Sequence, residues 1–170
     1  MLFSEFYERV VAFKKKGIKV SLALGGWNDS AGDKYSKLVN SPSARARFVK
    51  QALEILEKYD FDGLDLDWEY PKCWQVDCNK GPASDKQAFA DLVRELKAAF
   101  EPKGLLLSSA VSPSKTVVDE GYDVPSLSRD LDWIAVMCYD YHGQWDKRTG
   151  HVAPLYAHSE DIDVTFNSVS

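Results

Sequence analysis

The chain has 170 residues, enough for one domain with a buried core. With 45% apolar and 28% charged residues, it reads as globular rather than disordered. A net charge of −5 without a basic, aromatic-laced patch argues against a nucleic-acid partner, and no apolar stretch approaches the ~20 residues of a membrane span.

Phe3, Phe6, Tyr7, Val10, Val11 and Phe13 recur at helical spacing, so residues 3–16 read as a helix closed by Gly17. The basic run Lys14-Lys15-Lys16 falls in the last turn, where it suits the negative end of the helix dipole. Met1-Leu2-Phe3-Ser4-Glu5 has no basic segment leading into an apolar one, so no signal peptide is expected in this stretch. Residues 18–24 read as a strand running into Gly25-Gly26-Trp27, followed by a polar loop and a short helix near 33–39. Ser41-Pro42-Ser43 opens a second long helix at about 43–59, with Phe48, Leu53, Ile55 and Leu56 on its apolar side.

The next strand is 61–68, and a long loop rich in Pro, Gly, Cys and Asn covers 70–84. Ser84 is placed to cap a third helix over 85–100, with Phe89, Leu92, Val93, Leu96 and Phe100 inward. Pro102 and Gly104 end it, a third strand spans 105–111, and a helical turn near 125–129 leads to a fourth strand at 133–139. This alternation predicts an α/β fold, a parallel sheet with helices outside. Functional side chains of such a sheet gather at the carboxyl ends of its strands.

One strand stands apart. Residues 61–70 read Phe-Asp-Gly-Leu-Asp-Leu-Asp-Trp-Glu-Tyr. Side chains alternate with period two, so Asp65, Asp67 and Glu69 form one row at steps of about 6.6 Å. Leu64, Leu66 and Trp68 fall on the other face, suited to packing under helices. Gly63, below Asp65, leaves room for a side chain to turn downward. Three clustered acids repel one another and lose hydration in a sheltered site, so at least one pKa rises. A raised carboxyl is what a general acid requires. The bland alternatives are a solvated acidic edge strand and a magnesium or calcium site. Acids are poor strand formers without a reason, and no matching acid cluster sits on the other strand ends.

Cys73 and Cys78 lie close together in the 70–84 loop, where a local disulfide would point to secretion. Their spacing fits no zinc pattern, and His142, His151 and His158 lack metal-ligand spacing, so no metal is expected. Cys138, in the fourth strand, reads as a small buried hydrophobe. Trp68 and Trp133 read as packing residues, whereas Trp27, Tyr70 and Trp145 each follow a strand end, where an open aromatic face suits a ligand.

The stretch Asp62-Gly63-Leu64-Asp65-Leu66-Asp67-Trp68-Glu69-Tyr70-Pro71 resembles the signature of the family-18 glycoside hydrolases, the chitinases. Ala23-Leu24-Gly25-Gly26-Trp27 and Met137-Cys138-Tyr139-Asp140 resemble two further motifs of that family, in the right order, and the surrounding wording is similar to arthropod members. The resemblance covers nearly the whole chain. It implies a partial TIM (β/α)8 barrel, about strands 3 to 6, as a single partial catalytic domain over residues 1–170. The implied reaction is retaining, substrate-assisted cleavage of β-1,4-N-acetylglucosamine linkages without a cofactor.

In that resemblance Glu69 is the proton donor. Asp67 holds the acetamido group, Asp65 shares a proton with Asp67, and Tyr139 donates to the acetamido carbonyl. Asp140 helps hold the distorted sugar, Met137 lines the floor, and Trp27 and Trp145 flank the groove. The expected partner is chitin or a chitooligosaccharide, the expected state a monomer, and the expected setting of the parent protein extracellular. Ala23 departs from the Ser found in many members and removes a hydroxyl from the Asp65 surroundings. The second departure is the strand count, which predicts that the isolated chain is unstable or inactive. A chitin-binding lectin on the same scaffold is the alternative from another class, and action on N-glycan cores is a variant of the first.

Overall fold

The computed structural model describes residues 3–159 and 167–168. Strands β1 (Ser21–Gly25), β2 (Gly63–Asp67), β3 (Leu106–Val111) and β4 (Trp133–Val136) form one parallel sheet in the order β1-β2-β3-β4. Parallel neighbours need a crossover connection. The crossovers carry α2 (Lys34–Val39) and α3 (Pro42–Tyr59), then α4 (Ser84–Phe100), then α5 (Lys115–Gly121) and α6 (Val124–Asp130), while α1 (Phe3–Val11) precedes the sheet. Helices α3 and α4 pack against each other, and α4 also meets α2, α5 and α6.

The core lies between these helices and one face of the sheet. Leu64, Leu66 and Trp68 are buried there with Leu56, Phe89, Val93, Leu96 and Phe100. Trp68 sits between Tyr35 and Phe89, each ring centroid 5.8 Å away, as its packing role requires. The other face carries the acid row. Pairing sets Ala23 beside Asp65, Asp65 beside Ser108, and Ser108 beside Trp133. Trp133 therefore corrects its packing assignment. It stands level with Asp65 on the acid-bearing face and is 46% exposed. Strand register, which periodicity does not supply, decides this.

Several boundaries differ from those expected. The first helix tightens into a 3-10 turn over Ala12–Lys16 before Gly17 ends it at φ 77. Helix α5 has no counterpart among the expected elements, and the turn expected near 125–129 is the full helix α6. Ser84 does not cap α4. It is the helix's first residue, and no side chain caps it. Gly63 does not make room for an acid. A Cβ there would lie 2.3 Å from the Leu106 carbonyl oxygen, so the missing side chain lets β3 approach β2.

The fourth strand stops at Val136 rather than 139. Met137 still donates its N–H to the Val111 carbonyl at 3.0 Å. Cys138 and Tyr139 then bond back to Val136 and Met137 at 2.9 and 2.8 Å, curling the chain off the ladder. Met137 and Tyr139 consequently do not share a strand face, and Cys138 is half-buried in this curl rather than packed within a strand.

Asp85, in the first turn of α4, is fully buried. Its carboxylate accepts from Ser36 Oγ at 2.6 Å, Asn40 Nδ2 at 2.7 Å, Trp74 Nε1 at 3.0 Å and the Lys72 N–H at 3.2 Å. It ties α2 to the loop that follows β2, alongside the Cys73–Cys78 disulfide. Asp85→Ala leaves these donors buried and unpaired, so a loss of about 3 kcal/mol or more is expected. Denaturant unfolding of a complete barrel carrying the change measures it.

Candidate active site

The site occupies the carboxyl ends of the strands. Asp65 and Asp67 are half-buried residues of β2, and Glu69 follows two residues beyond its end at 9% exposure. Leu64 and Leu66 take the buried, helix-facing positions, so alternation puts Asp65 and Asp67 together on the other face, and Glu69, beyond the strand, stands near enough to Asp67 to feel its charge.

Glycine sets how closely β1 approaches this row. Gly25, at φ 119, faces Asp67 in the ladder, and a Cβ there would stand 2.1 Å from the Asp67 carbonyl oxygen. Any side chain would push the strands apart at the acid. The Gly26 N–H then donates to that same carbonyl at 2.7 Å.

Each acid has distinct surroundings. Asp65 accepts a 2.5 Å hydrogen bond from Ser108 Oγ on β3. Ser108 thus supplies a hydroxyl beside Asp65 although Ala23, its neighbour on β1, has none. Burial, reinforced by the Asp65 charge, raises the pKa of Asp67. Asp67 Oδ1 is buried without a hydrogen-bond partner among the described residues. Glu69 is raised as well, first by burial, then by Asp67 and more weakly by Asp140, while the Tyr70 hydroxyl partly offsets this. A carboxyl in these surroundings holds its proton to higher pH than an ordinary side chain does.

Tyr139 is exposed, and its hydroxyl is raised by partial burial and by the charges of Asp67, Glu69 and Asp140. The structure therefore brings Tyr139 and Asp140 to the same end of the sheet as the acid row. Asp140 takes a left-handed φ of 55 and is exposed. Met137 is half-buried against the core. Trp27 presents an exposed ring on the β1 loop, and its carbonyl accepts from Gln75 Nε2 at 3.4 Å. Trp145, 63% exposed, lies over Gly143, farther along the chain after β4.

Tyr70 departs from the expected open platform. It is 7% exposed, and its hydroxyl bears on Glu69 and Ser112 instead of offering a free ring face. Strand β2 ends at Asp67, so alternation along the strand does not govern where this ring points.

Sequence reasoning missed three polar residues: Ser30, Ser108 and Asp85. Ser108 sits in the run Leu-Leu-Ser-Ser-Ala-Val, where two hydroxyls in an apolar strand were the available signal. Ser30 and Asp85 sit at loop and helix-start positions that ordinarily face water, so nothing in their spacing marks them.

Residues 2–169 match the family described as Glycosyl hydrolases family 18. The chain is 65% identical over 164 residues to Probable chitinase 10 of Drosophila melanogaster, covering 96% of this chain and 7% of that protein. It is 39% identical over 160 residues to Chitotriosidase-1 of Mus musculus, covering 88% of this chain and 33% of the mouse protein. Catalytic domain 2 of the Ostrinia furnacalis Group II chitinase superposes with a TM-score of 0.96 at 66% identity. That match covers 98% of this chain and 43% of the Ostrinia chain, a mutant of which has also been solved in complex with (NAG)5. The four strands are accordingly an arc of a (β/α)8 barrel, and the chain spans under half the length of these relatives. With the three acids on such an arc and the match running nearly end to end, this chain belongs to glycosyl hydrolase family 18.

Proposed function

We propose that this chain is the acid-bearing segment of a chitinase, cleaving β-1,4-N-acetylglucosamine linkages with retention of configuration. One observation carries the reading: Glu69 stands just beyond the strand that carries Asp65 and Asp67, its carboxyl raised by burial and by the Asp67 charge. A carboxyl that stays protonated can give its proton to the glycosidic oxygen as the bond to the anomeric carbon breaks. The substrate's acetamido oxygen forms the new bond to that carbon. The Glu69 carboxylate then takes a proton from water, whose oxygen displaces the acetamido oxygen and restores the free acid.

Asp67 fits the acetamido N–H, because its buried Oδ1 is an acceptor without a partner among the described residues. Tyr139 fits the acetamido carbonyl as a donor, with Asp140 close enough to Glu69 to add to its rise. Trp27 and Trp145 supply exposed rings for pyranose faces. The (NAG)5 complex of the Ostrinia relative supports a chitooligosaccharide as the ligand. The Cys73–Cys78 disulfide supports a secreted parent protein. The net charge of −5 leaves no reason to invoke nucleic acid.

The test is a chimera in which this chain replaces the matching segment of the Ostrinia domain, restoring a closed barrel. Incubation with a GlcNAc pentamer should release shorter oligomers whose new reducing ends first appear as the β-anomer. Binding of the pentamer without cleavage would instead favour the lectin reading.

The electrostatics set the pH response. The acid must be protonated, so kcat/KM falls as pH rises through the pKa of Glu69, which lies above its ordinary value. Asp67→Asn removes a negative neighbour and makes the Glu69 carboxylate easier to form. The alkaline limb of the residual kcat/KM profile should therefore move to lower pH. An unmoved or raised limb would show that Glu69 is not the titrating acid.

A further inference from the structure

Ser30 lies five residues beyond β1, in the loop that begins Gly26-Trp27, and is fully buried. Its hydroxyl accepts the Glu69 N–H at 2.9 Å and donates to the Asp67 carbonyl at 3.3 Å. A hydroxyl can do both at once. The Ser30 N–H is itself anchored to the Gly26 carbonyl at 2.8 Å.

Ladder pairing between β1 and β2 stops at Gly25 and Asp67, two residues short of Glu69. Beyond that point the backbone of Glu69 has no strand partner on the β1 side. Ser30 replaces the missing pairing with one side chain, while the Glu69 carbonyl accepts the Gln75 N–H at 3.1 Å from farther along the loop that follows β2. Both polar groups of the Glu69 backbone are thereby held, one by the β1 loop and one by the turn of its own loop.

We propose that Ser30 is a positioning residue for the general acid, extending the ladder to Glu69 so that its carboxyl meets the leaving oxygen in line. This rests on the hydrolase reading given above. Removing the hydroxyl leaves a buried Glu69 N–H unpaired and lets residues 68–70 shift. Displacement of an acid by a fraction of its reach lowers proton transfer without changing which groups bind the sugar.

The leaving group separates positioning from general structural damage. Departure of a sugar alkoxide needs its proton, whereas departure of an activated aryl oxide needs little help. In the barrel chimera, Ser30→Ala should lower kcat/KM for GlcNAc-pentamer cleavage by about 10- to 100-fold. For an aryl chitobioside the loss should be only a few-fold. Ser30→Cys, similar in volume but a weak hydrogen-bonding partner, should show the same selectivity to a smaller degree and covers the case in which the alanine variant does not fold.

Equal losses on both substrates, no loss on either, or failure of both variants to fold would overturn the proposal. Glu69→Gln is run alongside. If it keeps full activity, Glu69 is not the acid and the reading on which the proposal rests fails. If it is inactive while the Ser30 variants lose both substrates equally, only the positioning role is lost.

Discussion

Glu69→Gln in the barrel chimera is expected to lower turnover of a GlcNAc oligomer by about 100- to 10,000-fold while leaving its binding nearly unchanged. Glutamine preserves the size of the side chain and its ability to hydrogen-bond, but it has no proton to give at working pH. The loss should therefore appear in kcat and kcat/KM together, with little change in Kd, as for an interaction made only in the transition state. An aryl chitobioside should lose less in its first step and retain dependence on Glu69 for activating water. The physical basis is the raised Glu69 carboxyl, held up by burial first and by Asp67 second. Full turnover in the glutamine variant would remove Glu69 as the proton donor. Loss of oligomer binding along with turnover would reduce Glu69 to a sugar contact.

The second large effect concerns the chain by itself. Expressed alone, the 170 residues should show no hydrolysis above background, bind a hydrophobic dye, and unfold well below the chimera on heating. The sheet face that carries the acids also carries Trp133, 46% exposed, and β1 and β4 each have only one strand neighbour among the described residues. Open edges of this kind invite pairing between chains. Each large apolar side chain left in water forgoes about 1.5–3 kcal/mol relative to burial. Against a net stability of roughly 5–15 kcal/mol for an ordinary domain, a few such residues decide the outcome. Shelter matters to the chemistry as well, since opposing strands of a closed barrel would remove further water from the acid row and raise its carboxyls more. Hydrolysis of an aryl chitobioside by the purified chain, abolished by Glu69→Gln, would show that the arc is sufficient.

The two experiments test different links. The first asks whether Glu69 performs the proton transfer once the barrel is closed. The second asks whether the arc of four strands holds its acids in working order without the remaining wall. Loss of activity in the isolated chain together with activity in the chimera would place the defect in the scaffold, because both carry the same acids.

Local pattern was enough for the α/β class, for four strands, and for the shared face of Asp65 and Asp67, because side-chain alternation is a property of the extended backbone alone. The same reasoning separated Leu64, Leu66 and Trp68 onto the covered face. What depends on neighbouring segments was not legible. Register put Trp133 beside Ser108 on the acid face, and the curl after Val136 separated Met137 from Tyr139. Beyond the end of β2 the chain turns Tyr70 inward against the acid it was expected to accompany as an open ring. Ser30, Ser108 and Asp85 act through hydrogen bonds to residues 39, 43 and 49 positions away, and no short window of sequence contains both partners. Periodicity reports which face a residue occupies; only the folded chain reports what waits there, and at this site the waiting groups hydrogen-bond the backbone of Glu69 and the carboxyl of Asp65.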